Sequence, residues 1–218
     1  MYSPIKYLLS QLILIPAIIG WIRWRDLNTT YRYFVLLLTV GYLFESIGYW
    51  AFKPLAMNLI NFGFNLPIHL LYFFFISEFM QWKDKNKYRL AYVAVYMLMI
   101  FADLIFADLS RYRHSLSMLS FETLNLFLSL ILAKKIFDIS FVNHHRKILL
   151  MILIPNTLTQ IILVNNIAFF YFHYEPSWVI NFGIFSYLLN AVNTVSYIFF
   201  SIALLWIPKK EVFLQRIS

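Results

Sequence analysis

Few side chains in this sequence could do chemistry, and nearly all of them interrupt long apolar runs. Glu45, His69, Asp103 and Glu122 are the ionisable ones, joined by Asn65, Asn125, Gln160, Asn190 and Asn193. A carboxyl in such surroundings must stay protonated, pair with a cation or bind one. An imidazole beside it can act as donor, acceptor or cation, so His69 is the expected partner of Glu45 or Glu122. These types point to a site for a small polar ligand, an ion or a proton. They also have a plainer role, because Asn, Gln and Ser commonly hold helices together, at roughly 0.6–2 kcal/mol each.

Their spacing is helical. Asn58, Asn61, Asn65, His69 and Tyr72 fall within an arc of about 80° at 100° per residue. Ser186, Asn190, Asn193, Tyr197 and Ser201 form a second stripe. Glu122, Asn125 and Ser129 share a face, as do Tyr42, Glu45 and Tyr49. Asn156, Thr159 and Gln160 cluster below Pro155, and Tyr92, Tyr96 and Asp103 lie on one further stretch.

Seven apolar stretches carry these stripes: about 5–22, 33–52, 57–81, 90–109, 116–136, 148–172 and 178–207. About 20 apolar residues suffice for a helix to cross the hydrocarbon of a bilayer. The runs are too long for membrane strands and lack their alternation. The fold expected is therefore all-α, a single seven-helix transmembrane domain over residues 1–218. Counted at 1.5 Å per residue, Glu45, His69, Gln160 and Asn190 sit near the midplane. Asn65, Asp103, Glu122 and Asn125 sit in the outer half. One polar chamber at mid-to-outer depth would collect them.

Composition supports that class. The 218 residues are 61% hydrophobic and 13% charged, against about 25% charged in soluble domains. Cysteine is absent, which removes disulfides, zinc–thiolate sites and thiol nucleophiles. Orientation follows from the basic residues. Arg23, Arg25, Arg32, Lys83, Lys85, Lys87, Arg89, Lys134, Lys135, Arg146, Lys147, Lys209, Lys210 and Arg216 fall on one side. Lys6, Lys53, Arg111 and Arg113 fall on the other. Fourteen against four places the N-terminus outside and the C-terminus in the cytoplasm. The net charge of +8 is then a topology signal and a contact for anionic headgroups; nucleic acid is not an expected partner. Trp21, Trp24, Trp82 and Trp206 fall at inner helix ends, Trp50 and Trp178 at outer ones, where indole is favoured. The residues after the first run, Trp21 to Arg25, read as an anchor and not as a signal-peptide cleavage site.

Ile60-Asn61-Phe62-Gly63 is echoed by Ile180-Asn181-Phe182-Gly183. That offset would pair helices one to three with five to seven around a linking fourth, a 3+1+3 parallel repeat.

Several chemistries lack their residues. No lysine lies in 178–207 to carry a retinal Schiff base, and no His-x-x-x-His or Glu-x-x-His pair sits within a stretch. No Gly-x-Ser-x-Gly turn or phosphate-binding glycine loop is present. An intramembrane enzyme is the least supported class, and no cofactor is expected. The leading expectation is a non-enzymatic sensor-like or interaction subunit in the bacterial inner (plasma) membrane. Its expected partners are the bilayer, a small polar ligand or cation, and a cytoplasmic protein at the basic joints 83–89 and 134–147. The alternative is a small-solute or proton-coupled transporter using the same chamber; the shortage of glycine, five in all, counts against its broken helices.

Overall fold

The computed structural model describes residues 4–50, 54–80, 82–106, 116–138, 143–172 and 179–208. These residues are helical throughout their regular structure, and no strand occurs among them. The first column is α1 (Pro4–Ser10), a 3-10 turn (Gln11–Ile13) and α2 (Leu14–Ile22). Six further helices follow: α3 (Thr29–Trp50), α4 (Pro54–Met80), α5 (Lys85–Phe106), α6 (Leu116–Asp138), α7 (Asn143–Phe172) and α8 (Val179–Trp206). Each column overlies one of the seven apolar stretches. Lys53, Asp108, Arg111, Arg113, Trp178, Lys209, Lys210 and Arg216 lie outside the described residues, as do the side chains of Lys6, Trp50, Asn58, Asn61, His144, His145 and Ser186.

Local chemistry sets several boundaries. The Asn28 side-chain oxygen accepts the Tyr31 backbone N–H at 3.1 Å, an N-cap for α3. Pro67 and Pro155 stand inside α4 and α7. Each lacks the N–H that would bond to the carbonyl four residues earlier, at Gly63 and Met151.

The columns close into a ring in which α2 touches α3 and α8, α4 touches α3 and α6, and α7 touches α6 and α8. α5 stands outside this ring and packs on α4 and α6. A pairing of α2–α4 with α6–α8 around a linking α5 is compatible with that order, and the two Ile-Asn-Phe-Gly segments lie near the starts of α4 and α8.

One end of the ring is held by basic side chains. The last carbonyls of a helix have no donor within it and favour a cation. Arg23 donates to the carbonyls of Leu204, Leu205 and Ile207 at the end of α8, the latter two at 2.8 and 2.5 Å. Lys135 donates to the Met80 carbonyl at the end of α4, at 2.8 Å. Arg89 bonds to Ser77 and, at 2.7 Å, to Glu78, which also receives Lys85 at 3.0 Å. Glu78 is thus the joint between α4 and α5.

Next to this end the interior is packed solid. Phe34 meets Phe200 edge-on at 5.1 Å and Phe75 at 5.5 Å, joining α3, α8 and α4. Ile76, Leu132, Ile136, Ile148, Leu149 and Ile152 are fully buried around them. Gly20 allows α2 to approach α3 closely: a Cβ there would lie 2.4 Å from a Val35 methyl.

Outward-facing positions are apolar. Leu98 is 68% exposed, Phe101 62% and Phe127 60%, and Leu90, Ile105, Ile131, Ile154, Ile198 and Leu205 point the same way. Meanwhile His69, Asp103, Glu122, Asn125, Ser129 and Gln160 are buried. Two segments among the described residues, Arg146–Asn165 and Tyr187–Trp206, are long and apolar enough to cross a membrane; Tyr7–Ile22 and Asn65–Met80 are shorter apolar runs.

Candidate functional site

The polar stripes of α4, α5, α6 and α7 meet in one buried network. Helical spacing puts His69 and Tyr72 on one face of α4, one turn apart, and Glu122, Asn125 and Ser129 on one face of α6. Because α4 and α6 are neighbours in the ring, the two faces oppose each other. α5 covers the seam from outside with Tyr92 and Tyr96, both buried.

The network has a centre at Asn125, which is 2% exposed. Its side-chain oxygen accepts the Tyr92 hydroxyl at 3.2 Å, so its amide nitrogen faces His69 Nδ1, 2.7 Å away. An amide nitrogen only donates, which makes Nδ1 the acceptor. The neutral ring therefore carries its proton on Nε2. That atom is buried and makes no hydrogen bond among the described residues. It faces Glu122 Oε1 at 3.9 Å, beyond the 2.7–3.2 Å typical of N–H···O bonds. Tyr96 and Phe121 flank the imidazole, with ring centroids 5.7 and 6.1 Å from it.

One turn along α6, Ser129 continues the network. The Tyr72 hydroxyl lies 2.5 Å from Ser129 Oγ. Ser129 Oγ in turn lies 2.6 Å from the Asn125 carbonyl and 3.0 Å from Gln160 Oε1. A serine hydroxyl has one proton to give, so Tyr72 is the donor of the first contact and Ser129 serves the carbonyl or Gln160. Asn156, on the same face of α7, is near the Tyr72 hydroxyl. Its Nδ2 is a second buried donor with no partner among the described residues.

The other expected site residues fall in different places. Asn65 and Asp103 are buried on α4 and α5, one turn from His69 and two turns from Tyr96. Asn193 leaves the network and accepts the Thr159 hydroxyl at 3.1 Å, tying α8 to α7. Asn190 lies one turn before Thr194, whose hydroxyl bonds to the Asn190 carbonyl at 2.8 Å. Glu45 is not His69's partner. It lies beside Ser10 and near Tyr197, between the first column, α3 and α8. Next to it Ser46 donates to Gln11 at 2.9 Å, at the 3-10 turn. The reason is positional: α3 borders α2 and α4 and does not reach α6. The single expected chamber is thus two polar clusters among the described residues, one around His69 and one around Glu45.

Phe121 is the site residue that sequence reasoning missed. Its signal was present, since Phe121 lies four residues before Asn125 on the inward face of α6, but an aromatic residue there reads as packing. Among the described residues no group of three or more His, Asp or Glu side chains is arranged to hold a metal ion. A separate groove of about 410 Å³ runs between α7 and α8, lined by Met151, Ile154, Pro155, Leu158, Val195 and Phe199 among others. Its lining is apolar, and it lies away from the His69 network.

The basic joints also divide. Arg89 and Lys135 are engaged with α4, and Arg146 lies over the Phe137 ring at 5.0 Å. Lys83, Lys87, Lys134 and Lys147 remain exposed. Compared with protein-family models, curated proteins and solved structures, the chain matches none of them.

Proposed function

We propose that this chain is a seven-span integral membrane protein of the bacterial inner membrane, with its N-terminus outside and its C-terminus in the cytoplasm. In this reading it is a non-enzymatic sensor-like or interaction subunit. It binds a small polar ligand or ion from the outer side, at the His69–Glu122 pair. A cytoplasmic partner would meet the exposed lysines of the 83–89 and 134–147 joints.

The inverted polarity supports the membrane setting: Phe101 and Phe127 face outward while His69, Asn125 and Gln160 are buried. A water-soluble bundle places these types the other way round. The fourteen-to-four division of basic residues supports the orientation.

One observation carries the functional part, namely the buried His69 Nε2–H that faces a carboxyl group without bonding to it. Buried donors are nearly always paired, and an exception calls for a reason; a bound ligand would supply one. The packed layer around Phe34, Phe75, Ile76 and Leu132 favours one-sided binding over transport, because a solute path would have to cross it. Transport keeps one point in its favour, the 3-10 break of the first column beside Glu45.

Cysteine accessibility separates the two readings, since the native chain has no cysteine. In sealed vesicles, Asn65→Cys should react with a membrane-impermeant maleimide from the outer side only. Ile76→Cys, within the packed layer, should react from neither side. Labelling of Ile76→Cys from the cytoplasmic side would favour a transporter and overturn the sensor reading.

A further inference from the structure

We infer that the His69–Glu122 gap is a seat for a hydroxyl group, and that the ligand of this site is a small neutral polyol or sugar. This rests on the reading above that the pair is a binding site, and adds the ligand's chemical class.

The gap asks for one group that both accepts and donates. Asn125 fixes the imidazole so that it offers an N–H from Nε2, and Glu122 offers an acceptor 3.9 Å away. An oxygen about 2.8 Å from each would sit at an apex angle of roughly 90°, within the range of protein hydrogen-bond geometry. An ammonium group would satisfy Glu122 and leave the Nε2–H without an acceptor. A carboxylate would satisfy Nε2 and face Glu122, with Asp103 buried on the adjoining helix. A hydroxyl oxygen completes both bonds with a single atom.

The surroundings suit the rest of such a molecule. Tyr96 and Phe121 lie 4.3 Å apart between centroids, and Tyr92 meets Phe121 at 5.2 Å. Packed on one another, these rings form an apolar wall beside the polar pair, the mix expected of a small-molecule site. Water has the same hydroxyl chemistry, so the test must tell a ligand from a resident solvent molecule.

The test is equilibrium binding of tritiated erythritol, myo-inositol and D-glucose to the full chain in nanodiscs, with putrescine and succinate as charged comparators. At least one of the three hydroxyl compounds should bind saturably below about 1 mM. Glu122→Gln, which keeps the shape but puts an amide NH2 donor in place of one carboxyl oxygen, should weaken it about tenfold. Phe121→Leu should weaken the same compound, and should also lower the thermal transition because it removes volume from a buried position. If none of the three binds saturably, the seat holds water only and the inference fails. It fails equally if putrescine or succinate binds in their stead, or if Glu122→Gln binds as tightly as the native chain. None of these outcomes alters the Asn65→Cys and Ile76→Cys labelling pattern, so the two proposals can fail separately.

Discussion

Replacing Asn125 with Leu is expected to destabilise the folded bundle by about 2–4 kcal/mol. Asn125 answers two buried groups at once, the Tyr92 hydroxyl and His69 Nδ1. Leucine fills the same space and answers neither. Each buried group left unpaired costs about 1–3 kcal/mol. Interhelical bonds within membranes average less, about 0.6 kcal/mol by double-mutant cycle, which sets the estimate below the simple sum. Thr159→Val is the proper comparison, because its bond to Asn193 joins two groups that are only partly buried. That change should cost under about 1 kcal/mol. Reversible unfolding in mixed micelles measures both, and an Asn125→Leu loss no larger than that of Thr159→Val would show that the network does not hold α4, α5 and α6 together.

The second large effect is steric. Gly20→Ala places a methyl group 2.4 and 2.9 Å from the two Val35 methyls and 3.2 Å from its Cβ. Val35 is fully buried and β-branched, so it has no flexible end to swing aside. Overpacking of this kind costs about 1–3 kcal/mol, and the expected result lies at the upper end. The companion change Val35→Ala should recover much of the loss, giving a clear coupling term in a double-mutant cycle. Gly41→Ala is the contrast: its new methyl would meet only the tip of Ile13 at 3.0 Å, and Ile13 can rotate. Independent, additive losses for Gly20→Ala and Val35→Ala would contradict the close approach of α2 and α3.

Much of this network is legible in the periodicity of the sequence. The stripes Asn65–His69–Tyr72 and Glu122–Asn125–Ser129 are regular helical faces, and burial against lipid-like surfaces leaves them one direction to point. What periodicity does not contain is the order of helices around the ring. His69 could therefore be matched to Glu45 or to Glu122 on chemistry alone; adjacency of α4 and α6 decides for Glu122, and Glu45 turns to Ser10 and Tyr197. The peripheral place of α5 is equally silent in the sequence, yet it is what brings Tyr92 and Tyr96 over the seam. The basic residues carried two meanings that a count merges. Arg23 reaches carbonyls about 180 residues away at the end of α8, a contact no local pattern can announce, whereas Lys83 and Lys134 stay exposed as a charge-based reading expects.

The whole account rests on the chain crossing a membrane with its basic end inward, and side-specific labelling of single cysteines tests that most directly. Right-side-out vesicles bearing Lys53→Cys, Lys87→Cys, Arg111→Cys or Lys134→Cys would be treated with an impermeant maleimide. The expected result is reaction at positions 53 and 111 in intact vesicles, and at 87 and 134 only after permeabilisation. Equal reaction at all four positions in intact vesicles, or protection of 53 and 111 with exposure of 87 and 134, would contradict it.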